Sequence, residues 1–66
     1  MTFGKRLKEL REKKGVTQED VSAAVGIHVN QIRWYEYGNN EPSIMRAWWL
    51  ADYFGVSMDY LIGREQ

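Results

Sequence analysis

Apolar residues recur along this chain at the three- and four-residue spacing of amphipathic α-helices. Phe3, Leu7 and Leu10 share one face in this way, and similar faces follow further along the chain. Threonine or serine precedes most of these segments and glycine follows them, as expected for helix N-caps and left-handed helix ends. No stretch alternates apolar and polar residues as a half-buried strand would. The pattern predicts one all-α domain over residues 1–66, with helices at about 2–14, 17–25, 28–36, 43–54 and 57–62.

The predicted core draws on the apolar positions of these helices. In the fourth helix, the i, i+3, i+4, i+7 spacing of one apolar face is occupied by Ile44, Ala47, Trp48 and Ala51. We therefore expect Trp48 to be a core residue. From the last helix, Ile62 is expected to help close the core.

Only the residues VGI, at positions 25–27, separate the second apolar segment from the third. So short a connection with a glycine is typical of a helix-turn-helix. With "GKRLKELREKKGVTQEDVSAAVGI", "YEYGNNEPS" and "LADYFGVSMDYLIGRE", the chain resembles the Cro/C1-type (phage-repressor-like) helix-turn-helix domains. The resemblance implies a compact five-helix, lambda-repressor-like fold. It also implies an internal ion pair between Arg11 and Glu36.

The same resemblance implies where duplex DNA would lie. In such domains the third helix enters the major groove, which places Val29, Asn30 and Trp34 at base-reading positions. Gln18 and the start of the fourth helix would contact backbone phosphates, which position the protein without specifying sequence. Arg33 lies near this face.

Several residues around this face depart from the family pattern. Tyr37 stands where the family often has a basic residue, and Trp34 is a bulky ring for a stacked duplex. Met45 and Trp49 lie four positions apart, out of phase with the core, at outer positions that are usually polar. Nine basic residues only balance nine acidic ones, whereas a DNA-binding domain usually has a basic excess. We therefore predict an exposed aromatic patch, a type of surface that often binds proteins.

Catalysis and metal binding have no support in the sequence. The chain has no cysteine and one histidine, His28, so no metal site is predicted. No serine, histidine and acid arrangement occurs, and the glycines fit helix ends better than a phosphate loop. We expect no catalytic residue, no enzyme activity and no cofactor. No apolar run can span a bilayer, so we expect no membrane partner. If the chain is natural, we expect it to be cytoplasmic. If it is not, we expect it to be a recombinant soluble protein.

Three hypotheses of function follow. The first is an engineered protein-binding module with weak or no nucleic-acid binding, pH-dependent through its histidine, and with an antibody constant region as candidate partner. Its binding residues would be His28, Val29, Asn30, Arg33, Trp34, Tyr37, Met45 and Trp49. The alternative is a sequence-specific DNA-binding transcriptional regulator of the Cro/C1 type. Its DNA contacts would be Gln18, Val29, Asn30, Arg33 and Trp34. The third is a homodimer that buries the aromatic patch against a second copy.

Overall fold

Five α-helices form the fold in residues 2–64, which are the residues described by this computed structural model. In chain order they are α1 (Phe3–Lys14), α2 (Gln18–Val25), α3 (Val29–Tyr37), α4 (Ile44–Phe54) and α5 (Met58–Leu61). The all-α, five-helix prediction is confirmed. The predicted helix starts differ by one residue because Thr2, Thr17, His28, Ser43 and Ser57 are N-caps. Within residues 2–64, no helix has the length and apolar composition needed to cross a membrane.

Local hydrogen bonds fix the two helices of the helix-turn-helix. The Thr17 hydroxyl accepts the Asp20 backbone N–H at 3.0 Å, and the Thr17 N–H donates to the Asp20 carboxylate at 3.0 Å. This reciprocal capping box starts α2. The helix ends at Gly26, whose φ of 74° lies in the left-handed region that favours glycine. His28 then starts α3, its Nδ1 accepting the Asn30 N–H at 3.1 Å. The turn between α2 and α3 is therefore short and defined at both ends.

α3 is held on the domain by packing against α1 and α2. Ile32 and Tyr35 form its buried side. At Gly4 of α1 the two helices are so close that an added methyl group would collide with the Tyr35 carbonyl oxygen. The buried apolar residues are Leu7, Val21, Ile27, Ile32, Tyr35, Ala47, Leu50, Ala51 and Leu61. One side of α3 is thus committed to the core, and its other side is available to a ligand.

The prediction that Ile44 and Trp48 lie in the core is wrong. Their exposed fractions are 76% and 58%. The side of α4 that packs inward carries Ala47, Leu50, Ala51 and Phe54. These residues also have the i, i+3, i+4, i+7 spacing, so α4 carries two overlapping apolar stripes. Only one stripe can face the core, and the structure buries the one that begins a turn later.

The end of α5 also differs from its prediction. Helix α5 ends at Leu61, and this leucine is fully buried, whereas Ile62 after it is exposed. The four residues expected on the surface are exposed: Trp34, Tyr37, Met45 and Trp49.

Candidate nucleic-acid interface

The exposed side of α3 presents a short row of polar and apolar side chains. Asn30 and Trp34 lie one helical turn apart and are both exposed, and Val29 beside them is half-buried. His28 is exposed at the start of this row, with its Nδ1 occupied as the helix cap. The imidazole thus caps the first turn of α3.

A hydrogen-bonded network joins this row to the interior. At its inner end, Arg11 Nε and Nη2 donate to the two carboxylate oxygens of Glu36 at 2.7 and 3.1 Å. Arg11 Nη1 donates to the Val16 carbonyl at 3.1 Å. The hydrogen bond to Glu36 raises the pKa of Arg11 above its ordinary value. This paired, bidentate arrangement ties α1 to the last turn of α3.

Gln18 connects the two ends of the network. Its Nε2 donates to Glu36 Oε1 at 3.1 Å, and its Oε1 accepts Arg33 Nε at 3.2 Å. Both polar ends of the carboxamide are therefore used. Gln18 lies at the start of α2, so this helix orients side chains of α3 by direct hydrogen bonds.

At the outer end, Arg33 is held by three acceptors from α2 and α3. Besides Gln18 these are Asn30 Oδ1, which accepts Nη1 at 3.0 Å, and Glu19 Oε2, which accepts Nη2 at 3.0 Å. The pair remains hydrated, because the Arg33 and Glu19 side chains are 37% and 65% exposed. The guanidinium is thus fixed in direction at the surface of α3.

Three of the predicted DNA contacts lie together in the structure, whereas the predicted aromatic patch is spread over several depressions. The network brings together Gln18, Asn30 and Arg33. A DNA-contacting site formed by the start of α2 and the middle of α3 requires these residues to be close. Tyr37 lines one depression with Gln18 and another with Phe3 of α1, whereas Trp49 lines a depression with Ala24 of α2. The aromatic residues of the predicted patch therefore do not line one common depression.

Sequence reasoning missed the role of Glu19. No contact of this residue is predicted from the sequence, whereas the structure pairs it with Arg33. The sequence contains one indication of this contact. The connection between α2 and α3 is short, so the start of α2 lies beside α3.

The starts of α2 and α4 differ in charge. The first turn of α2 contains Glu19 and Asp20, and the hydrogen bonds from Thr17 lower the pKa of Asp20. The first turn of α4 contains no acidic residue. Arg46 lies there, with its Nη1 donating to the Tyr35 hydroxyl at 3.2 Å. The first turn of α4 thus carries a basic and no acidic residue, and Glu41 lies two residues before its N-cap Ser43.

Comparison with known proteins agrees on the family. A helix-turn-helix family model matches residues 7–61. The HTH-type transcriptional regulator ImmR of Bacillus subtilis (strain 168) is 36% identical over 66 residues, 100% of this chain and 52% of ImmR. The uncharacterized HTH-type transcriptional regulator YazB of the same organism is 36% identical over 64 residues, 97% of this chain and 93% of YazB. The chain thus spans about half the length of ImmR and nearly all of YazB.

A solved structure gives the same result. The P22 c2 repressor in complex with synthetic operator 9T superposes with a TM-score of 0.92 at 25% identity, over 98% of each chain. The lambda-repressor-like fold prediction is confirmed.

The prediction of an engineered protein-binding module with weak or no nucleic-acid binding is wrong. The relatives are named transcriptional regulators, and the P22 c2 repressor was solved in complex with a synthetic operator. Pairing with an antibody constant region and pH-dependent capture through His28 depend on that hypothesis and are abandoned with it. The zero net charge misled because it describes the whole chain and not how the charges are distributed over its surfaces. By its motifs, its fold and the match over residues 7–61, this chain belongs to the Cro/C1-type helix-turn-helix family.

Proposed function

We propose that this chain is a sequence-specific DNA-binding domain of a Cro/C1-type transcriptional regulator, with α3 in the major groove. The observation that carries the proposal is the fixed guanidinium of Arg33 on the exposed side of α3. A mobile surface arginine neutralises phosphate wherever it meets one, whereas a fixed set of donors can distinguish base edges. The names of the relatives support the same function.

In this proposal, the exposed residues of α3 contact base edges. The carboxamide of Asn30 pairs with adenine, and the methyl groups of Val29 contact a thymine methyl. The N–H donors of Arg33 suit the O6 and N7 acceptors of guanine. Trp34 is 43% exposed one turn after Asn30, where its ring covers a thymine methyl or a sugar.

The start of α4 supplies the main phosphate contact. Its first-turn backbone N–H groups lie at the positive end of the helix dipole, where Ser43 Oγ accepts the Arg46 N–H at 3.2 Å and no residue of the turn is acidic. Gln18 positions Arg33 through its Oε1, and only one of the two N–H groups on its Nε2 is used by Glu36. The second N–H can donate to a phosphate, as the family resemblance implies.

Selection from a randomised duplex library tests the proposal. Duplexes that bind the protein at 150 mM salt are enriched and sequenced, and the affinity of the selected duplex is compared with that of an unselected one. We expect a common motif and a preference of at least ~10³-fold. Asn30→Ala should cost about 1–3 kcal/mol on the selected duplex and relax the preference at one base pair.

Asp59→Asn is a suitable control, because Asp59 is an exposed residue of α5, which packs on α1 and α4. It should leave the selected motif unchanged. A library that yields no common motif, or equal affinity for selected and unselected duplexes, would contradict the proposed function.

A further inference from the structure

We infer that Glu19 determines specificity by changing what Arg33 can bind, an inference that rests on the proposed function. The Glu19 carboxylate lies 3.0 Å from Arg33 Nη2, on the exposed surface where α2 and α3 meet. This pairing makes Arg33 a reader of neutral base edges and a poor ligand for phosphate.

The number of donors on Arg33 allows both contacts at once. A guanidinium has five N–H donors, and the three hydrogen bonds to Gln18, Asn30 and Glu19 leave two of them. These two belong to the terminal nitrogens, one on each. They can donate to a guanine acceptor without breaking the existing hydrogen bonds.

The charge of Glu19 has the opposite effect on phosphate. Nonspecific affinity comes from basic side chains that displace counterions from the DNA backbone. A carboxylate already paired with Arg33 competes with phosphate for that cation. Glu19 therefore lowers the affinity for every duplex, while the base-edge contact of Arg33 is kept for the preferred one.

Position and exposure fit this role better than a stabilising one. An exposed pair between long side chains contributes little to folding, and the Glu19 side chain is 65% exposed. Glu19 does not complete the capping box of α2, which is formed by Thr17 and Asp20. The charge of Glu19 suits the positive end of the α2 dipole, but Asp20 in the same turn also supplies a negative charge there.

The experiment compares Glu19→Gln with Asp59→Asn, each of which raises the net charge by one unit. The probes are a random 20-base-pair duplex and the duplex selected by the parent protein, measured over a series of salt concentrations. Glu19→Gln should raise affinity for the random duplex about two- to fivefold and steepen its salt dependence by about 0.9 in log–log slope. The preference for the selected duplex should fall. Asp59→Asn should leave both preference and slope close to those of the parent.

A double-mutant cycle separates the action through Arg33 from general repulsion. In an Arg33→Gln background, Glu19→Gln should no longer steepen the salt dependence or reduce the preference. Equal effects of Glu19→Gln and Asp59→Asn, or an unchanged effect of Glu19→Gln without Arg33, would overturn the inference and leave the proposed function intact. A parent protein with no preference among duplexes would overturn both.

Discussion

Two arginine–glutamate pairs lie at opposite ends of one network and differ in their contact with water. The inner pair, Arg11 and Glu36, has a shortest separation of 2.7 Å, with side chains 15% and 3% exposed. The outer pair, Arg33 and Glu19, has a separation of 3.0 Å and is far more exposed. Gln18 donates to the first and accepts from the second. An arginine–glutamate ion pair thus occurs twice in the network, once almost out of contact with water and once hydrated.

Burial therefore decides whether an ion pair stabilises the fold or is available to a ligand. In the covered pair neither partner can be replaced by water, so loss of one leaves a charge stranded. In the hydrated pair water can replace either partner, so the pair costs little to change. The inner end therefore belongs to the fold, and the outer end is available to a ligand.

The largest expected effect comes from breaking the inner pair. Glu36→Gln leaves Arg11 without its counter-charge and should lower the free energy of unfolding by about 3 kcal/mol. Glu19→Gln, the matched change at the outer end, should lower it by no more than about 0.5 kcal/mol. Urea unfolding of the two variants makes the comparison directly. Similar losses in both would show that burial does not distinguish the pairs.

Arg33→Lys should separate binding from folding. A lysine ammonium cannot keep three acceptors in the fixed plane of a guanidinium. Affinity for the selected duplex should fall by about 1–3 kcal/mol, with the free energy of unfolding nearly unchanged. Arg11→Lys should show the reverse, a clear loss of stability. The outer end would be structural if Arg33→Lys unfolded as easily as Arg11→Lys.

The start of α3 gives a smaller effect, since its cap is a single hydrogen bond. His28→Ala removes the Nδ1 acceptor of the Asn30 N–H and should destabilise the domain by about 1 kcal/mol. His28→Asn restores a side-chain acceptor and should recover most of the loss. Thermal unfolding of the three proteins at pH 7.5 measures this. If the asparagine variant is as unstable as the alanine variant, capping is not the role of His28.

The smallest effect is a pH dependence at the start of α2. Hydrogen bonds from Thr17 lower the pKa of Asp20 in the folded protein. Its contribution is therefore present above the unfolded pKa of about 4 and is lost as pH falls through the lower, folded value. Asp20→Asn should be less stable than the parent at pH 6, and the two should converge near pH 2. A gap that stays constant over this range would mean that the Asp20 charge is not involved.

Much of the fold follows from local patterns. Hydroxyl residues before four of the described helices and glycines after four of them mark those ends to within one residue, because caps depend on neighbours in sequence. The apolar spacing also identifies Leu7 and Ile32 as core residues. It fails at Trp48, since α4 carries two stripes with identical spacing and only its packing against other helices selects one.

The site was less predictable because its geometry joins distant residues. Gln18, Asn30 and Arg33 follow from the family resemblance as single positions. Their mutual contacts, and the pairing of Glu19 with Arg33, depend on how two helices cross after a short turn. Charge counted along the chain cannot show which carboxylates are covered and which face a ligand.

Side-chain NMR measures directly whether α3 and the outer end of the network contact duplex DNA. The protein, labelled with ¹⁵N, is titrated with the selected duplex while the arginine Nε–H and tryptophan Nε1–H signals are followed. We predict that the signals of Arg33 and Trp34 shift, and that those of Arg11 and Trp48 stay in place. Shifts at Trp48 with Arg33 and Trp34 unmoved would contradict the account.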